Sequence, residues 1–219
     1  MSTTQTPSEL RKKPSGIIKV LRVILVLSIL VLFPIISFVF LWEGVTDRKS
    51  ELEKMSDYGV LSVKEFQLND GSVLYADSLL GSVVVMWLPD SFDDALSGKI
   101  DSLLTQFASS GDFILGGLYT EGTKRAWENW EASTSPDEAA FFLGARPEKL
   151  IPQGSPLEAV GCSSASCPGM ILIDRSGTVR RVVNPYDRGE MVSLVKQIAI
   201  LIARPRTFEK PQVIREKEK

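Results

Sequence analysis

Residues 83–88 read Val-Val-Val-Met-Trp-Leu and are closed by Pro89. A continuous apolar run of this length, rich in β-branched side chains, predicts a central strand buried on both faces. Gly81 stands ahead of the run, and Pro89, which cannot donate to a ladder, ends it. Next, residues 93–107 (DDALSGKIDSLLTQF) carry apolar side chains at 96, 100, 103, 104 and 107, which fall on one helical face. Asp93 and Asp94 lie where a cap or first turn favours acids. Phe113–Tyr119, FILGGLY, follows as a second buried strand.

The same reading extends in both directions. Val63–Leu68 alternates as a half-buried strand, Asn69-Asp70-Gly71 is a turn signal, and Ser72–Tyr75 is its return strand. Lys124–Ala132 reads as an amphipathic helix carrying Trp127 and Trp130. Residues 133–160, with Pro136, Pro147, Pro152 and Pro156, look irregular apart from a short strand at Phe141–Leu143. Met170–Asp174 is a third buried strand, Arg175-Ser176-Gly177 a tight turn, and Thr178–Val183 a hairpin partner. Glu190–Ile202 is a helix stopped by Pro205. A βαβ unit joined to a ββα unit predicts an α/β domain with one central sheet flanked by helices on both faces.

Ahead of this domain, residues 23–42 (VILVLSILVLFPIISFVFLW) form 20 residues without a charge. At about 1.5 Å per residue such a helix spans roughly 30 Å, the thickness of a bilayer core. The run is longer than a signal-peptide core and lacks a small-residue cleavage site, so it reads as a retained anchor. Residues 1–22 carry five bases against Glu9, which places the N-terminus in the cytoplasm. In a bacterium the remainder is then periplasmic, on a single-pass protein of the inner membrane. The expected organisation is a cytoplasmic tail 1–22, the membrane helix 23–42, a polar linker 43–62, the folded domain 63–205 and a basic tail 206–219.

Composition excludes much chemistry. The 219 residues contain no His and two Cys. That removes Ser-His-Asp and Cys-His catalysis, His-containing metal sites and four-Cys centres. Net charge is −2 overall, but residues 1–22 carry +4 and residues 204–219 carry +3, which leaves −9 for residues 23–203. An acidic exported domain argues against nucleic-acid binding. No metal site and no cofactor are expected.

Three stretches resemble a known fold. VVVMWLPDSFDD is similar to the first central strand and active-site turn of the thioredoxin-like superfamily. CPGMILIDRSGTVRRVV resembles its cis-proline segment and following hairpin, and DRGEMVSLVKQIAILIARP its closing helix. Within that superfamily the chain is most similar to the Sco/SenC group of membrane-anchored cytochrome c oxidase assembly proteins. The early hairpin FQLNDGSVLYADSLLGSVVV and the single N-terminal anchor add to the likeness. The resemblance implies a thioredoxin-like fold over residues 63–205 and a protein partner in a respiratory oxidase or its assembly machinery. It also implies that Pro168 is the cis-proline. The turn departs from the family pattern. Ser91 and Ala95 take the approximate positions of the copper-binding Cys-x-x-x-Cys, and Ser91 and Asp94 those of a Cys-x-x-Cys. The family's copper and dithiol chemistry is therefore not carried over.

Cys162 and Cys167, in VGCSSASCPGM, directly precede Pro168. Three readings stand: a local structural disulfide suited to an oxidising compartment, a redox-active pair, and a two-thiolate Cu(I) site. The expectation for the whole chain is a non-catalytic, membrane-anchored protein that works through protein contacts. A periplasmic thiol–disulfide oxidoreductase or a Cu(I) carrier using Cys162 and Cys167 is the alternative.

Overall fold

The computed structural model describes residues 16–88, 92–137, 140–147, 150–151, 155–162 and 169–203. The chain divides into two compact units, Met1–Asp47 and Arg48–Lys219. The first holds most of helix α1 (Gly16–Glu53), whose side chains from Val23 to Trp42 are mostly apolar and almost all exposed. This helix is long and apolar enough to cross a membrane. It runs beyond Trp42, so residues 43–53 of the expected linker are helical. From Arg48 on, mostly good helix formers and an i,i+4 pair between Lys49 and Glu53 favour the continuation.

The second unit is built on a five-stranded sheet in the order β5-β4-β3-β6-β7. Its strands are β3 (Val83–Trp87), β4 (Phe113–Tyr119), β5 (Phe141–Ala145), β6 (Met170–Ile173) and β7 (Val179–Val183). β3, β4 and β5 are mutually parallel, and β6 and β7 complete the sheet antiparallel. Val85 sits opposite Leu115 on one side and Leu172 on the other. Strand alternation sends Val83, Val85 and Trp87 into one core and Val84, Met86 and Leu88 into a second.

Helices α2 (Asp94–Phe107), α3 (Lys124–Thr134) and α5 (Arg188–Ile202) fill the first core. Two right-handed crossovers, β3-α2-β4 and β4-α3-β5, step the same way along the sheet and so place α2 and α3 on the same face. The second core is closed by the hairpin β1 (Glu65–Gln67) and β2 (Val73–Tyr75), and by the single turn α4 (Pro156–Ala159). The helix expected on this face is thus only one turn long, and a hairpin supplies most of the cover.

Two glycines in β4 mark how tightly the layers approach. A Cβ on Gly116 would lie 2.3 Å from the Phe142 ring, and one on Gly117 would lie 2.8 Å from the Trp127 ring. Each glycine makes room for an aromatic ring on its own face of the sheet. Gly116→Ala should therefore lower stability by about 1–3 kcal/mol, the usual cost of overpacking. Gly98 in α2 has open space around its Cβ position. Gly98→Ala should be neutral or stabilising by up to about 1 kcal/mol, because alanine is the better helix former. Urea midpoints of the two variants in detergent check both signs.

Candidate functional site

The site predicted from sequence lies where β3 leaves the sheet. Leu88 is the last described residue before the turn, and its N–H donates to the Gly169 carbonyl at 3.2 Å. This bond brings the strand exit beside the segment that follows Pro168. Gly169 is fixed from the other side too, since a Cβ there would lie 2.2 Å from the Val183 carbonyl oxygen of β7. The Leu88 carbonyl accepts from the Arg146 guanidinium, which arrives from the end of β5. Nothing in the local sequence around Arg146 announces that role, because it arises from strand pairing.

Ser91, Cys167 and Pro168 lie outside the described residues. Asp94 and Ala95 are described, and both belong to the first turn of α2. Asp93 acts as the cap: its Oδ1 accepts from the Leu96 N–H at 2.8 Å, and its carbonyl accepts from Leu96 and Ser97. Its Oδ2 accepts from the Tyr186 hydroxyl at 3.4 Å. Tyr186 in turn lies under the Lys99 ammonium, 5.3 Å from the ring centroid. Capping uses the Asp93 carboxylate as an acceptor for a helix terminus. Phe92 turns inward against Trp127, with ring centroids 4.7 Å apart. Among the described residues no group of three or more His, Cys, Asp or Glu is placed to hold a metal ion.

Cys162 is fully buried in the second core and disulfide-bonded. Cys167 is the chain's other cysteine. The local fold explains the burial. Ser155 caps α4 by accepting from the Leu157 N–H, and Pro156 occupies the first helical position. Gly161, at φ +80°, ends the turn. The Gly161 N–H then donates to the Glu158 carbonyl and the Cys162 N–H to the Leu157 carbonyl, a Schellman closure. That closure directs Cys162 inward with Leu157. Ser155-Pro156 and Gly161 are start and stop signals that a reading of the region as irregular passes over.

Trp127 and Trp130 are packing residues. They are 0% and 6% exposed and meet edge-on at 5.7 Å, with Phe141 against both rings. The Trp130 indole donates to Asp101 of α2 at 3.0 Å. Asp174 organises the β6–β7 turn. One oxygen accepts from the Ser176 hydroxyl and the Ser176 and Thr178 N–H groups, while the other accepts from Arg180 Nε at 2.7 Å. Burial pushes the Asp174 carboxyl up, but these donors outweigh it and hold it below the ordinary carboxylate range.

No family model and no curated protein matches the chain. Solved structures do. A proposed protein disulfide isomerase from Bacteroides thetaiotaomicron superposes with a TM-score of 0.51 at 22% identity, over 68% of this chain and 91% of that one. BsSco, a member of the Sco family of cytochrome c oxidase assembly proteins in which a disulfide switch was identified, superposes with a TM-score of 0.51 at 10% identity. That match covers 67% of this chain and 96% of BsSco. The fold is thioredoxin-like, and these two neighbours are a proposed protein disulfide isomerase and a Sco-family protein.

A carboxyl held low in the folded state stabilises above its unfolded pKa, and the effect is lost as pH falls through the folded value. Asp174→Asn should therefore destabilise at pH 7 by about 1–3 kcal/mol, the range for hydrogen bonds to a charged group. The deficit should shrink as the pH falls below the ordinary carboxylate range. Denaturation of both proteins across that range checks the sign.

Proposed function

We propose that the chain is a membrane-anchored thioredoxin-like protein that works through protein contacts, without redox turnover, in assembling or stabilising a respiratory cytochrome oxidase. The single observation that carries this reading is the use of the site's polar groups. Asp93 is committed to capping α2, and Cys162 is buried and disulfide-bonded rather than presented as a thiol. The turn itself offers Ser91 and Ala95 where copper-binding relatives of the resembled group carry cysteines. Cys162 and Cys167 form a structural disulfide in this reading, bracing the loop before Pro168. The Sco-like architecture supports the oxidase partner, while fold alone does not fix function. The protein sits in a bacterial inner membrane, with its N-terminus cytoplasmic and its folded domain periplasmic, as the basic flank of α1 directs.

Affinity purification of the tagged protein from solubilised membranes should retain oxidase subunits. Their absence, with other partners present, would remove the oxidase from the reading. The purified protein should not reduce insulin disulfides. Activity that vanishes in Cys162→Ser or Cys167→Ser would replace the reading with the oxidoreductase, and a stoichiometric Cu(I) complex lost in the same variants would replace it with the copper carrier.

Because the disulfide closes a short loop, either serine variant should cost only about 1–2 kcal/mol, below the usual range for native disulfides, and should still fold. Thermal unfolding checks that modest loss. A reporter active only outside the cytoplasm should work when fused after Lys219 and fail when fused before Met1. The reverse pattern would invert the topology.

A further inference from the structure

The second unit carries a cleft of about 700 Å³ on the hairpin side of the sheet, away from the exit of β3. Its floor is Phe66, Val84, Met86 and Ile173. Its walls are the 60–66 stretch, the 3-10 turn Ala76–Leu79 and the 174–177 turn. Val60, Tyr75 and Leu80 line it and are 61%, 42% and 37% exposed, half of the six large apolar side chains that the described residues of this unit leave exposed. Such clustering at one concavity is what a covered surface shows, whereas scattered exposed residues need no partner. Glu65 and Asp77 stand exposed at the rim, with Lys64 beside them and Asp174 already paired with Arg180.

The described chain ends close to this cleft. The carbonyl of Ile202, in the last turn of α5, accepts from Arg175 Nη2 at 2.6 Å. Arg175 belongs to the same turn as the wall residues Asp174, Ser176 and Gly177, so the end of α5 lies next to that wall. Residues 204–219 (RPRTFEKPQVIREKEK) carry six bases against three acids, with Phe208, Val213 and Ile214 as apolar members. Pro205 and Pro211 bias such a segment toward extended backbone. Sixteen residues reach up to about 50 Å when extended, ample to pass the 174–177 turn.

We propose that the cleft is the seat of this C-terminal segment. Phe208 and the Val213-Ile214 pair cover Val60, Tyr75 and Leu80, and the flanking bases face Glu65 and Asp77. An extended segment gains contact by laying alternate apolar side chains into such a groove. Opposite charge at the rim adds a salt-dependent attraction, because these groups are exposed and screened.

Hydrogen exchange at residues 60–66 and 75–80 tests this, comparing the full chain with one ending at Ala203 in the same detergent. Truncation should speed exchange there by roughly tenfold, the change that about 1.4 kcal/mol of contact gives. A synthetic peptide of residues 204–219 should restore protection at low salt and lose that ability at high salt. Val60→Asp with Leu80→Asp alters only exposed positions and should give the same loss with the tail still attached. Unchanged exchange on truncation, with no effect of the peptide, would overturn the proposal. So would a truncated protein whose cleft stays protected by self-association that the peptide does not displace. Exchange is read rather than partner capture, so the outcome is independent of the oxidase reading.

Discussion

Burial of β3 on both faces is the constraint on which the domain depends. A strand whose odd residues enter one core and even residues another cannot slip by one position without exchanging the two sets. Here that exchange would carry Trp87 out of the helix-covered core and Met86 into it. β4 and β6 flank this strand on either side, so their registers are set against it. The glycine pair of β4 follows from the same packing. Directly beside a fully buried strand, rings from α3 and β5 fill the layer above and below, and a side chain at Gly116 or Gly117 has no room.

Both edges of the sheet are then closed by the N-terminal part of the unit. Along β7, the Ser56 N–H donates to the Arg180 carbonyl and the Tyr58 N–H to the Val179 carbonyl, while Gly59 accepts from Val179. At β5, the Asn69 N–H donates to the Leu143 carbonyl and Leu68 bridges Gly144. Covered edges protect a sheet from pairing with other chains. The stretch that covers β7 is itself held by Glu51, which is 6% exposed and accepts from Ser193 and Gln197 of α5 and from Lys54. A buried carboxylate is costly unless several donors surround it, and α5 presents two of them one helical turn apart. Residues 48–60 thus act as a strap from the closing helix to the sheet edge.

Local periodicity made the sheet strands and three of the domain's helices legible. FILGGLY occupies β4 from end to end, and the apolar positions 96, 100, 103, 104 and 107 of α2 all enter the core. What escaped was set by partners distant in sequence. Ser193 and Gln197 look like ordinary polar positions on α5 until Glu51 arrives beside them. Residues 43–53 look like a polar linker because a helix without an apolar face has no periodic signal. The single turn α4 has too few residues to show a period, although Ser155, Pro156 and Gly161 mark its ends. Arg146 reaches the exit of β3 and Tyr186 the head of α2 through pairing and loop closure, and no spacing in the chain encodes that approach.

The site's geometry and its chemistry are separable for the same reason. The Leu88 N–H donates to the Gly169 carbonyl, backbone to backbone, and Gly169 approaches the Val183 carbonyl too closely to admit a side chain. The juxtaposition of the strand exit and Gly169 is therefore a property of the sheet's backbone. Reactivity depends on what the flanking groups are free to do. An aspartate at the head of α2 that accepts backbone N–H bonds lowers the energy of a helix terminus. A cysteine turned into the core by a Schellman closure contributes to packing, where a thiol in solvent reach would exchange. With Asp93 capping α2 and Cys162 packed into the second core, both side chains serve the stability of the fold.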